Sequence, residues 1–298
     1  MKHLLKLEGM PSAAMEEILA SAEVIKAKRG GGEAKPLDGQ TWAMIFTKSS
    51  TRTRVSFEVG IRELGGSVMF LNANDMQLGR GEPIKDTARV LGRMVHGAVI
   101  RTFAQADVEE FAEYSGIPTI NALTDDEHPC QILTDIFTFQ ERRGPIQGKV
   151  VTYVGDGGCN VPVSWVHAAA ALDFELRIAA PAEFQPSAET LAKAGGNISC
   201  TQDIRAAVKG ADMVYTDVWV SMGMEAEAEE RLAKLAGYQI NGGLMCLAKP
   251  DALVMHCLPA YRGKEIDAET FEAHADTIFT QAENRLHTQK AILAWLAG

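Results

Sequence analysis

The chain is short of several things, and each shortage excludes a class. No apolar run reaches the roughly 18 residues a membrane span needs. There are only five cysteines among 298 residues (130, 159, 200, 246 and 257), an odd number, scattered, with no Cys-x-x-Cys pair. A disulfide framework is therefore not expected, and free thiols in a reducing compartment are. Neither the cysteines nor the seven histidines show a ligand spacing, so no structural or catalytic metal is expected. Cations are outnumbered: 29 Lys+Arg against 39 Asp+Glu leave a net charge of −10. A general nucleic-acid or anionic-membrane binder is usually basic. The start, Met1-Lys2-His3-Leu4-Leu5-Lys6, is too soon polar for a signal peptide, and a cytoplasmic protein is expected. No internal repeat occurs, and no low-complexity tract exceeds Arg29-Gly30-Gly31-Gly32.

What is present is an alternation of strand and helix patterns. Apolar residues make up 46% and charged residues 23%, ordinary for a globular protein long enough for two domains. Residues 11–28 read as a helix with Met15, Ile18, Leu19, Val24 and Ile25 inside. Strands are expected at 41–46, 67–71, 98–103 and 118–123, with helices between. His128 opens a longer helix to about Arg143, and Pro145 and Gly148 mark a restart. Strands at 149–154, 175–179, 213–218, 252–256 and 277–280 follow, then a last helix from Asn284 to Leu296. The expected fold is α/β: two domains, each a central parallel sheet flanked by helices, the second Rossmann-like. Residues 1–133, completed by helix 284–298, would form one domain and 134–283 the other.

The stretch from Phe46 to Arg54 organises the first half. A strand runs into Thr47-Lys48-Ser49-Ser50-Thr51-Arg52-Thr53-Arg54, and a helix follows with Val55, Phe57, Val59, Ile61 and Leu64, ended by Gly65-Gly66. A helix N-terminus offers unpaired N–H groups and the positive end of a dipole. Hydroxyls at Ser50, Thr51 and Thr53, with the forks of Arg52 and Arg54, make an anion site suited to phosphate.

Other polar residues also fall at the carboxyl ends of expected strands, where open α/β sheets bind ligands. These are Arg101, His128 with Gln131, the Asp217–Met222 stretch, and His256-Cys257-Leu258-Pro259. His256 and Cys257 are adjacent on a strand and point to opposite faces, so they are not a nucleophile–base dyad. Gly155-Asp156-Gly157-Gly158 resembles a dinucleotide turn, but the place where an acid should follow reads Ala179-Ala180-Pro181. A nicotinamide cofactor is not expected.

Four ordered blocks carry a resemblance: Phe46–Arg54, His128-Pro129-Cys130-Gln131, Asp217-Val218-Trp219-Val220-Ser221-Met222-Gly223 and His256–Pro259. With Gln77–Pro83 and Glu283-Asn284-Arg285-Leu286-His287, they resemble the aspartate/ornithine carbamoyltransferase family over nearly the whole chain. The last two blocks look like its ornithine carbamoyltransferase branch. The resemblance implies that Ser50, Thr51, Arg52 and Thr53 hold the phosphate of carbamoyl phosphate. Arg101 and His128 would polarise its carbonyl, Gln131 would hold its amide, and Arg285 would reach the carbonyl side. Asp217 would bind the ammonium of L-ornithine, with Ser221 and Met222 beside it and Asn160 at the carboxylate. Cys257 and Leu258 would line the path of the attacking amine. Arg101, His128, Cys257 and Arg285 would form the catalytic set. The resemblance further implies no cofactor, a homotrimer, citrulline as product and a place in arginine biosynthesis.

One departure keeps alternatives open. The family usually follows Gly-Asp-Gly with paired asparagines; here the run is Gly155-Asp156-Gly157-Gly158-Cys159-Asn160, with one, and Pro162 follows early in the helix. The acceptor could be another amine, such as putrescine or an N-acylated ornithine. An anionic acceptor would want cations where Asp217 stands. A non-catalytic carbamoyl phosphate binder would need only the first set of residues.

Overall fold

In a computed structural model, the described residues are 1–32, 34–72, 81–221 and 223–298. They gather into two compact units, Met1–Phe137 with Glu283–Gly298, and Thr138–Ala282. The first unit carries α1 (Ser12–Ala27), β1 (Thr41–Phe46), α2 (Thr51–Glu63), β2 (Ser67–Asn72), α3 (Ile84–Leu91), β3 (Gly97–Arg101), α4 (Gln105–Ser115) and β4 (Thr119–Leu123). Helix α5 (Pro129–Arg143) starts in the first unit and ends in the second. The second unit carries β5 (Val150–Val154), α6 (Asn160–Leu172), β6 (Glu175–Ala179), α7 (Ala188–Ala194), β7 (Ile198–Thr201), α8 (Ile204–Val208) and β8 (Met213–Thr216). It continues with α9 (Ala228–Leu235), α10 (Gly242–Met245), β9 (Leu253–His256) and α11 (Ala268–Ala273). Helix α12 (Ala275–Ala297) starts in the second unit and ends in the first.

Each unit has its own parallel sheet, ordered β2-β1-β3-β4 and β7-β6-β5-β8-β9. The second order reverses direction at β5/β8, as in a Rossmann-like sheet. The inner strands are mostly apolar because helices cover both faces, with Arg101 ending β3 and Thr216 ending β8. Every residue of β3 is buried, as is β1 after Thr41. The first core gathers Ala43, Ile45, Ala98, Ile100, Val108 and Phe111. The second gathers Val154, Val214, Val254, Ile266 and Phe271. Close sheet packing also requires Gly97 opposite Trp42: a Cβ there would lie 2.6 Å from the indole.

The expected fold class holds, with local corrections. Residues 277–280 are helix, the first turns of α12, and not a strand. Thr277, Ile278, Gln281, Asn284 and Arg285 are buried while Phe279 is 55% exposed, which is helical spacing. A four-residue apolar run read by itself carries too little period to tell. Strand β7 was not anticipated: Ile-Ser-Cys-Thr on a sheet edge, after Gly195-Gly196, is too polar and short to signal. In α1 the inner side is Met15, Ile18, Leu19 and Ala22; Val24 is exposed. Pro162 sits in the first turn of α6, where an N–H has no helical partner to lose.

Candidate functional site

In the first unit β1, β3 and β4 are parallel neighbours, so their carboxyl ends share one edge. The chain leaves β1 through Ser50, β3 ends on Arg101, and His128 follows β4. Ser50 caps α2: its Oγ accepts from the Thr53 N–H at 3.3 Å. Thr51 is exposed and Arg52 half-buried at this helix start, while Thr53 is fully buried. Arg54 turns away; its guanidinium lies 3.8 Å from the Phe70 ring centroid and faces Glu58 at 3.6 Å. The phosphate-type forks of this stretch therefore narrow to Arg52. Lys48, buried, adds a cation paired with Asp125 and set 4.2 Å from the Phe103 ring centroid.

A bonded chain of buried side chains runs beneath these groups. Arg285, on α12, donates to Thr53 Oγ1 at 2.8 Å and to Gln131 Oε1 at 2.8 Å. The Gln131 amide donates in turn to Asp135 Oδ1 at 2.8 Å. Gln131 and Asp135 are four apart on α5, one helical turn. Arg101 and His128 are also buried, at 6% and 4% exposure. Burial, with the nearby charges of Arg285 and Arg101, holds the His128 imidazole well below its ordinary pKa. A neutral imidazole can donate one hydrogen bond without adding a further positive charge. Cys130 beside it is pushed up to about 12 by burial, so it stays a thiol.

In the second unit the corresponding edge is formed by β5, β8 and β9. Asn160 is the first residue of α6, after the turn that follows β5. Asp217 follows β8; its Oδ1 accepts from the Val218 N–H at 2.7 Å and from the Cys257 thiol at 2.9 Å. Ser221 is half-buried further along that segment, and Met222 lies outside the described residues, as do Gln77 to Arg80. Cys257 and Leu258 follow β9. His256 is buried and engaged elsewhere: its Nδ1 accepts from the Leu258 N–H at 2.9 Å, and its Nε2 meets Glu265 Oε1 at 3.1 Å. The thiol thus has a carboxylate as a partner. Ligand-type atoms of Asp217, His256 and Cys257 lie within 4.8 Å of one another, a cluster that sequence spacing does not show. Each of these side chains already has a protein partner, which a cation would have to displace.

At the altered turn, Cys159 points inward. Its Sγ donates to the Asp156 carbonyl at 3.2 Å and lies 3.8 Å from the Tyr153 hydroxyl. Burial, with the Asp156 and Asp217 carboxylates, pushes the Cys159 thiol well up. The amide side chain in this turn is that of Asn160, the first residue of α6. Gly157 is tightly enclosed: a Cβ there would come 2.6 Å from Ile178 Cγ2. Two supporting residues, Arg231 and Glu265, carried no sequence signal of their own, and Asp156 showed only as part of the Gly155-Asp156-Gly157 turn. Arg231 stands in Ala228-Glu229-Glu230-Arg231, which reads as a solvated face, yet it is 7% exposed. Asp135 could have been found from its one-turn spacing to Gln131.

The carbamoyl-P binding domain of aspartate/ornithine carbamoyltransferase matches residues 2–141, and the Asp/Orn binding domain matches residues 147–296. An ornithine carbamoyltransferase of Akkermansia muciniphila is 54% identical, over 100% of this chain and 98% of that one. One from Methylococcus capsulatus is 51% identical, over 99% and 98%. Among solved structures, the ornithine carbamoyltransferase of Pyrococcus furiosus superposes with a TM-score of 0.93 at 44% identity, covering 100% of this chain and 97% of its own. The anabolic enzyme of Campylobacter jejuni gives 0.94 at 43%, covering 99% of each. With both domain families matched and relatives of this identity along its whole length, the chain belongs to the aspartate/ornithine carbamoyltransferase family.

Proposed function

We propose that the protein transfers the carbamoyl group of carbamoyl phosphate to the δ-amine of L-ornithine, giving L-citrulline and phosphate. The observation that carries this is the Thr53–Arg285–Gln131 chain, set beside Arg101 and a neutral His128 at one strand edge. In the reaction the neutral amine attacks the carbonyl carbon, and charge builds on the carbonyl oxygen. Fixed donors are what that oxygen needs. The carbon–oxygen bond to phosphate then breaks, and the proton lost from the amine nitrogen balances on the departing phosphate, which leaves as hydrogen phosphate. The phosphate would leave against the N-terminus of α2, with Ser50, Thr51, Arg52 and Thr53 as donors. Asp217, a buried carboxylate at the end of β8, would hold the α-ammonium of the acceptor, with Ser221 and Met222 beside it, and Asn160 its carboxylate. Cys257 and Leu258 would flank the amine. No covalent nucleophile, metal or organic cofactor is needed for this chemistry. By family likeness the protein is expected to assemble as a homotrimer in the cytoplasm and to serve arginine biosynthesis.

The test is phosphate release from labelled carbamoyl phosphate with ornithine, putrescine, N-acetylornithine, lysine and aspartate in parallel. Preference for ornithine supports the proposal. Preference for putrescine or N-acetylornithine would mean that the single amide at Asn160 has retuned the acceptor. Binding of carbamoyl phosphate with no turnover for any amine would leave a binding protein and overturn the enzyme reading.

A further inference from the structure

The acceptor-side residues of the second unit stand on separate segments, the turn Gly155–Asn160 after β5 and the run Asp217–Ser221 after β8. One guanidinium ties the two together. Arg231, on α9, sends its side chain inward, donating from Nε to the Trp219 carbonyl at 2.9 Å and from a terminal nitrogen to Asp156. Asp156 is 5% exposed, and its other oxygen accepts from the Gly158 N–H at 3.0 Å. The guanidinium also lies 4.8 Å from the Phe184 ring centroid. The Trp219 indole closes the arrangement from the far side: a Cβ on Gly155 would stand 3.7 Å from it. The same fork therefore grips the carboxylate of the Asn160 turn and the backbone two residues after Asp217.

A buried ion pair adds little net stability over an apolar pair of the same shape, because desolvation offsets the attraction. What a planar fork supplies is a fixed direction to two partners at once, which a lysine cannot. We propose that Arg231, through Asp156 and Trp219, is a positioning residue that sets the Asn160 turn and the Asp217–Ser221 run at the separation the amino-acid acceptor requires. It thereby sets acceptor affinity and the discrimination among amines of different length. This rests on the acceptor assignment under Proposed function.

The experiment is steady-state kinetics of Arg231→Lys and Asp156→Asn, each substrate varied in turn, with thermal unfolding run alongside. The expected result is a rise in KM for ornithine of roughly 10- to 100-fold, the range for loss of a charged buried hydrogen bond. KM for carbamoyl phosphate should stay within about twofold and kcat at saturation within about threefold, and preference for ornithine over lysine should narrow. An unchanged ornithine KM, or equal changes for both substrates, would overturn the proposal and leave Arg231 as a structural ion pair. If Arg231→Lys does not fold, the same split in Asp156→Asn decides. Absence of ornithine turnover in the unsubstituted protein would instead sink the functional reading itself, so the two failures are told apart.

Discussion

The two units present the groups proposed for their substrates in opposite ways. In the first, the proposed donors are cations and hydroxyls drawn from one contiguous stretch, Ser50 to Thr53, plus side chains linked through Arg285, which donates to Thr53 and Gln131. In the second, the proposed groups are a carboxylate, a thiol and an amide after three separate strands, and bracing comes from residues that touch no proposed substrate. Arg231 with Asp156 is one brace, and Glu265 with His256 is the other. The difference follows the chemistry. A phosphate is bound by many donors converging on one helix end, which a short run can supply. An amino-acid acceptor presents two separated groups of opposite charge, which no single stretch of chain can span.

That contrast can be broken by substitution. The largest effect is expected at Arg285. Arg285→Ala removes the donor shared by Thr53 and Gln131 and should lower kcat by about 10² to 10³, typical for one lost oxyanion-type donor. Ornithine affinity should change little. A loss confined to ornithine KM would refute its place among the groups proposed for the first unit. Next is Asp217→Asn, which should raise ornithine KM by roughly 10- to 100-fold, the value of a charged hydrogen bond. Carbamoyl phosphate binding, followed by calorimetry, should be unaffected; equal loss for both substrates would erase the distinction between the halves.

The third prediction concerns pH. His128 is depressed in the folded state, chiefly by burial. As pH falls below 6.5 the unfolded chain takes up a proton that the folded chain refuses, so stability falls with falling pH. The slope from this group approaches about 1.4 kcal/mol per pH unit. Urea midpoints of His128→Asn between neutral pH and pH 5 should show a flatter acid limb than the parent. An identical slope would mean that His128 is protonated in the fold. Above neutrality His128 is already neutral, so turnover should rise with pH as the ornithine amine deprotonates toward the reference Lys value of about 10.4. A flat alkaline limb would argue against attack by a free amine. The smallest effect is expected outside both sets of proposed groups. Arg142 and Asp276 pair at 2.8 Å with Asp276 86% exposed, and Asp276→Asn should cost under about 1 kcal/mol. A larger loss of thermal stability would mean that this contact between α5 and α12 does more than surface pairing.

Legibility in the sequence followed the same divide. The alternation of apolar runs and helical periods was enough for two parallel sheets, because strands buried on both faces are largely apolar. It failed at Thr277–Thr280, where four residues fit strand and helix equally, and at β7, an edge strand with little to bury. The Ser50–Thr53 stretch announced itself because its donors are consecutive. The Asp217–Cys257 contact did not, since 40 residues separate the partners and neither type is unusual alone. Arg54 shows the converse: it belongs to the basic run by sequence, but Phe70 and Glu58 engage it in space.

Composition, periodicity and motif order by themselves determined the α/β class and the positions of chemically notable residues at strand ends. These depend on local pattern, which a linear chain displays. Tertiary structure alone decided which of those groups meet, that Cys159 turns inward, and that one arginine from an exposed-looking helix is buried between two loops. Those outcomes depend on long-range packing and on the desolvation of charge, and neither is written in any short stretch of residues.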